Sequence, residues 1–184
     1  MPSASPSATA TSEPASAAAA RMKGLPALEG VTRGTPTGWK EYEQAGFRFA
    51  LPPEFLSSAG STTENGTLIT SYDSDRPSTA SLASKIVISS WIDETGFLDE
   101  TGDAHDMQDG PEWHTFAAPG AAYRVVADAQ EPHTADNGDT EMFTFFTFQL
   151  AASDSRAYQL QAYLPIDDTN DMTLRKLAGS LSIG

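Results

Sequence analysis

Between residues 47 and 164 large apolar side chains recur at every second position, and that spacing restricts most of the chain to β-strands. Phe47, Phe49 and Leu51 alternate with Arg48 and Ala50 until Pro52 and Pro53 stop the run; with Trp39, Tyr42 and the Ala45-Gly46 pair before them they predict an opening hairpin. Phe55 and Leu56 suggest a short helical turn after Pro53. Asn65-Gly66 supplies a tight turn into a strand at 67–72, and a strand at 85–92 carries Ile86, Ile88 and Ile92. A strand at 121–128 alternates Tyr123 and Val125 with Arg124 and Val126. Asn137-Gly138 turns into 142–151, the most apolar stretch, with Met142, Phe146, Phe148 and Leu150 on one face and Phe143 and Phe145 on the other. That distribution predicts a central strand covered on both sides. The strand at 156–164 shows Tyr158, Leu160, Ala162 and Leu164 to a core, and Gln159, Gln161 and Tyr163 to solvent or a loop.

After Pro165 the period changes to 3.6. Leu174, Leu177, Ala178 and Leu181 fall at i, i+3, i+4 and i+7, which makes 170–181 an amphipathic helix with Thr169 or Asn170 as its cap and Arg175 and Lys176 on the outward face. The fold class that follows is α+β: a mainly antiparallel sheet with a C-terminal amphipathic helix packed on one face. Upstream, 18 of the first twenty residues are Ala, Ser, Thr or Pro, and Gly24, Pro26, Gly30, Gly34 and Pro36 continue the poverty in bulky side chains. Such a stretch cannot offset its ordering entropy. Residues 1–38 therefore read as a disordered linker and 39–184 as one domain.

The order of these signals resembles the PsbP-like fold superfamily, in particular its exported LpqN-type lipoprotein branch. Three features carry the likeness: the opening Trp39, Tyr42, Gly46, Phe47, Phe49, Leu51 and Pro52, the aromatic strand pair from Met142 to Leu164, and the closing helix. The resemblance implies an α/β/α-type sandwich used for binding or adaptor roles, and it transfers no site residues. Gly60 to Thr63 is polar where a second helix is expected in that family, and 93–112 looks like an acidic insertion.

Charge bears on partners. With 11 Lys and Arg against 25 Asp and Glu the formal charge is −14, which repels phosphate backbones and anionic lipid, so nucleic acid is excluded as a partner and a membrane is reached only through a lipid anchor. The Ala/Ser/Thr/Pro tract is similar to the spacer between a lipidated cysteine and an exported domain, and the expected location is extracytoplasmic, lipid-anchored at the cell membrane or secreted. Zero Cys removes disulfides, thiolate metal sites and thiol catalysis.

Of catalytic signatures, G-x-S-x-G, S-x-x-K, H-E-x-x-H and the Gly-rich phosphate loop are all missing. His105, His114 and His133 read as isolated surface histidines, since none has a second His at ligand spacing. Residues 93–112 hold eight carboxylates and no Lys or Arg, a solvated acidic loop by its charge density. Its alternative roles are weak calcium binding through Asp99, Asp103 and Asp106 and docking of a basic partner, although the spacing departs from the D-x-D-x-D-G loop. Trp91 and Trp113 bracket this segment and Phe97 lies inside it. They read first as anchors pinning it to the sheet, and otherwise, with His114, as the lining of an apolar pocket for a cationic or amphipathic ligand. Asn65-Gly66-Thr67 is also a glycosylation sequon, which the turn explains equally.

The function these residues favour is a non-catalytic binding or adaptor module at the cell envelope, without cofactor, for an unknown protein or small ligand. The rival readings are a hydrolase pairing His114 or His133 with Asp128 or Asp136, and a calcium-binding surface module.

Overall fold

The computed structural model describes residues 22–57, 60–63, 66–74, 84–92, 112–134 and 138–184. Its frame is a large antiparallel sheet built from β3 (Phe55–Ser57), β4 (Ser61–Thr62), β5 (Leu68–Ser74), β6 (Lys85–Ile92), β7 (Trp113–Thr115), β8 (Tyr123–Thr134), β9 (Thr140–Ala151) and β10 (Arg156–Pro165). The spatial order is β3-β5-β6-β10-β9-β8-β7, with β4 beside β5. A small sheet joins β1 (Lys40–Gln44), β2 (Phe47–Leu51) and β11 (Ser182–Ile183), and helix α1 (Asn170–Ser180) leads into β11.

The alternation decides which face is buried. Ile86, Ile88, Phe146, Phe148, Leu150, Tyr158, Leu160 and Ala162 point from the large sheet into one core, where they meet Phe47, Phe49 and Leu51 of β2 and Leu174, Leu177 and Ala178 of α1. The expected α+β architecture, a mostly antiparallel sheet with the C-terminal helix on one face, is therefore present. Strand β9 is central, paired on both sides, but its second face is only partly covered: Phe143 is buried, Phe145 half-buried, and Met142 at the end of the first face is exposed. Gln159 and Gln161 are half-buried and Tyr163 exposed, as the alternation of β10 requires.

Three local readings change. Phe55 and Leu56 belong to β3 and not to a helical turn: Phe55 is buried, Leu56 exposed, and the segment pairs with β5. Thr169 takes the cap position of α1 without a side-chain cap bond, because its hydroxyl donates to Asp167 Oδ1; the Asn170 amide instead reaches Thr144 Oγ1 and the Pro165 carbonyl, both at 3.0 Å. Third, the packed chain begins before Trp39. Leu28 and Val31 lie against the main core and Met22 and Leu25 against the opposite face of the sheet, so a boundary at residue 38 falls too late. This strap, residues 22–38, crosses the outward side of α1, leaving Arg175 and Lys176 half-buried: Arg175 Nε donates to the Glu29 carbonyl at 2.7 Å and Lys176 stands 5.9 Å from the Trp39 ring. Gly179 of α1 meets the strap backbone directly, where a Cβ would collide with the Thr32 carbonyl.

Candidate functional site

Register places the residues of interest in rows across the sheet face turned away from α1. One row runs Trp91, Ala157, Ala151, Tyr123; the next Ser89, Gln159, Gln149, Val125, Thr115; the next Val87, Gln161, Thr147, Ala127, Trp113. Five strands carry this face, so the backbones of Trp91 and Trp113 stand about 19 Å apart at the usual inter-strand spacing. Between them the alanines of β8, β9 and β10 take little room, and the two indoles rise at either side of a shallow trough. Tyr123, Val125 and Ala157 are its buried floor, with Trp91, Trp113 and Ala151 packed against them and Met22 and Leu25 of the strap laid on top.

The chemistry of the trough is concentrated in Gln149. It is 6% exposed, and its Oε1 accepts no hydrogen bond among the described residues. A buried carbonyl without a donor costs about 1–3 kcal/mol, so its retention within the most apolar strand calls for a use. Gln159 faces it across the ladder and is half-buried. Further along the same face Phe145 and Tyr163 stack at 4.6 Å; burial raises the Tyr163 phenol above its ordinary pKa, and the Glu131 carboxylate adds to the shift.

Of the sequence candidates, Trp91 and Trp113 come together on one face and one cluster. His114 does not join them: alternation turns it to the other side of β7, where Nε2 lies 3.6 Å from Glu112 Oε1. Asp128 is exposed on β8 and no hydrogen bond links it to His114 among the described residues. Phe97, Asp99, Asp103, Asp106, His105 and Asp136, and the side chain of His133, lie outside the described residues, and among those described no group of three metal-ligating side chains occurs. Sequence reasoning missed Gln149 and the strap. Their signals were a lone amide between Phe148 and Leu150, and Met22, Leu25, Leu28 and Val31 at every third position of a supposed linker.

Two grooves flank the strap on the helix side, of about 520 and 590 Å³. Arg33 borders both, with Tyr42, Arg48 and Ser182 in one and Thr37, Arg175 and Lys176 in the other. They share no wall with the tryptophan trough. No helix among the described residues is long and apolar enough to cross a membrane.

No family model matches the chain, and no curated protein sequence matches it. A crystal structure from Bacteroides thetaiotaomicron superposes with a TM-score of 0.50 at 10% identity, over 80% of this chain and 49% of that one, so the chain spans about half its length. The Ran-binding protein Mog1p of Saccharomyces cerevisiae gives a TM-score of 0.40 at 11% identity, over 77% of this chain and 85% of its own, too loose an overlap to carry an argument. What the chain shares with solved proteins is a distant likeness of fold.

Proposed function

We propose that the chain is a tethered extracytoplasmic domain that binds a partner and catalyses nothing itself, of the LpqN-type exported branch of the PsbP-like superfamily. The observation that carries the binding reading is Gln149, an acceptor buried without a donor between two tryptophans on a sheet face that no described helix covers. An N–H or O–H on a ligand satisfies that oxygen, and the indoles offer flat apolar area at little entropic cost. The supporting features are the −14 charge, the small-residue tract before residue 22, the resemblance of the opening and closing elements, and the missing catalytic motifs.

The test compares immobilised full chain with its Gln149→Leu variant. Leucine removes the orphaned acceptor, so the variant should unfold at a higher denaturant midpoint, by about 1–3 kcal/mol, while losing a partner that the original captures from cell-envelope fractions. Equal capture by both removes the trough from the reading. Reproducible turnover across a substrate panel overturns the non-catalytic assignment. The lipid tether requires an encoded hydrophobic segment ending in Cys upstream of Pro2; a hydrophilic sequence there disposes of it.

A further inference from the structure

The strap is bound to the sheet as a peptide ligand is bound. Ala27 bridges Thr115 in the parallel sense: the Leu28 amide donates to the Thr115 carbonyl at 2.8 Å and the Thr115 amide to the Pro26 carbonyl at 2.8 Å, with the Thr115 hydroxyl on the same carbonyl at 3.3 Å. Main-chain bonds thus extend the large sheet by one short strand at the edge of β7. Side chains supply the rest. Met22 and Leu25 enter the tryptophan cluster, Leu28 and Val31 the main core, and the Arg124 amide approaches Met22 Sδ at 3.3 Å. An apolar residue at every third position, separated by Gly24, Pro26 and Gly30, lets an extended chain reach both faces of the sheet edge in turn.

Backbone bonds for affinity and pockets at fixed spacing for selectivity define recognition by strand addition. We infer that the β7 edge is a docking site for an extended peptide segment of this pattern, occupied in cis by residues 25–28, and that a partner chain presenting such a segment displaces the strap. The inference rests on the binding reading above and gives that reading a partner class. The occupant's chemistry is read from the segment seated there: apolar side chains three apart, small or Pro residues between them, and free main-chain N–H and C=O groups at the position of Pro26 to Leu28. Because the tether keeps the strap at high effective concentration, a free segment competes only when the strap is loosened.

The chain has no cysteine, so a single introduced pair can lock the strap. Full chain carrying Ala27→Cys and Thr115→Cys joins two bridged positions, within the Cα separation a disulfide needs. The probe is a fluorescent peptide with the sequence of residues 22–34, followed by anisotropy. The oxidised chain should refuse the peptide, and reduction should raise its affinity at least tenfold. Leu28→Glu, which weakens the strap and leaves the groove intact, should raise it further, whereas a probe bearing the same substitution should not bind. A folded Leu28→Glu chain that ignores the peptide, or equal binding before and after reduction, overturns the inference. Should envelope capture through Gln149 survive while the peptide fails, the edge alone is wrong and the face reading stands.

Discussion

Ala45 carries the first turn at a cost. Its φ of 50° and that of Gly46, 82°, put both centre residues of the β1–β2 hairpin in the left-handed region. That geometry matches the twist of the paired strands, but it presses a Cβ against the following carbonyl and costs about 1–2 kcal/mol in a residue other than Gly. The fold holds it in place from outside: the buried Tyr158 hydroxyl donates to the Ala45 carbonyl at 2.7 Å. Ala45→Gly should therefore stabilise the domain by roughly 0.5–1 kcal/mol, the steric relief being partly offset by the unfolded chain's added freedom, as a urea midpoint will report. Nearby, Arg156 Nε donates to both oxygens of Asp154, at 3.0 and 2.9 Å, and this hydrogen bond leads the causes that hold the Asp154 carboxyl below its ordinary 3.8. A carboxyl depressed in the folded state contributes stability above its unfolded value and loses it as pH falls through the lower folded one. The acid arm of melting temperature against pH, below 3.8, should accordingly be flatter in Asp154→Asn than in the original chain, and parallel arms would show that the pair contributes nothing to folding.

At the scale of the element, α1 is fixed by a side chain that does not cap it. Asn170 is buried, and its amide joins the helix start to β9 through Thr144 and to the end of β10 through the Pro165 carbonyl. Asn170→Ala leaves both partners in a dry site and should cost about 1–3 kcal/mol, lowering the denaturant midpoint at unchanged slope. The helix itself was legible to within one residue because burial on a cylinder prints a 3.6 period in the chain, and β6 and β10 were legible because burial on a pleat prints a period of two. Three residues print neither. β3 is a strand only because β5 lies beside it, a pairing that no local pattern around Phe55 encodes. The strap was hidden for the same reason: its contact at Thr115 lies nearly ninety positions from Ala27, and the sparse apolar residues that make it were outweighed by Gly and Pro in between. Of the candidate site, the indoles were visible as bulky residues flanking an insertion. Gln149 was not, because only the assembled sheet shows that its oxygen has no donor.

For the molecule as a whole, two electrostatic effects oppose one another, and their sizes decide the response to salt. The described ion pairs, Arg48 with Glu43, Arg156 with Asp154 and Arg175 with Asp171, are largely solvated on their acidic side, and each stabilises by about 0–1 kcal/mol that salt weakens. Against them stands a surplus of fourteen acidic groups that can only repel one another when the chain is compact. Raising ionic strength from about 0.01 to 0.15 M shortens the screening length from about 30 to 8 Å, which removes repulsion between distant carboxylates while contacts of 3 Å are reduced far less. Repulsion therefore loses more than attraction. The melting temperature at neutral pH should rise with sodium chloride over that range, by about 2–4 °C if the net gain is near 1 kcal/mol for a domain of this size. The rise should disappear near the sequence pI of about 4.3, where the surplus charge has been titrated away. A melting temperature that falls with salt at neutral pH would assign the larger share to the few close pairs, and the acidic surface would then not oppose folding.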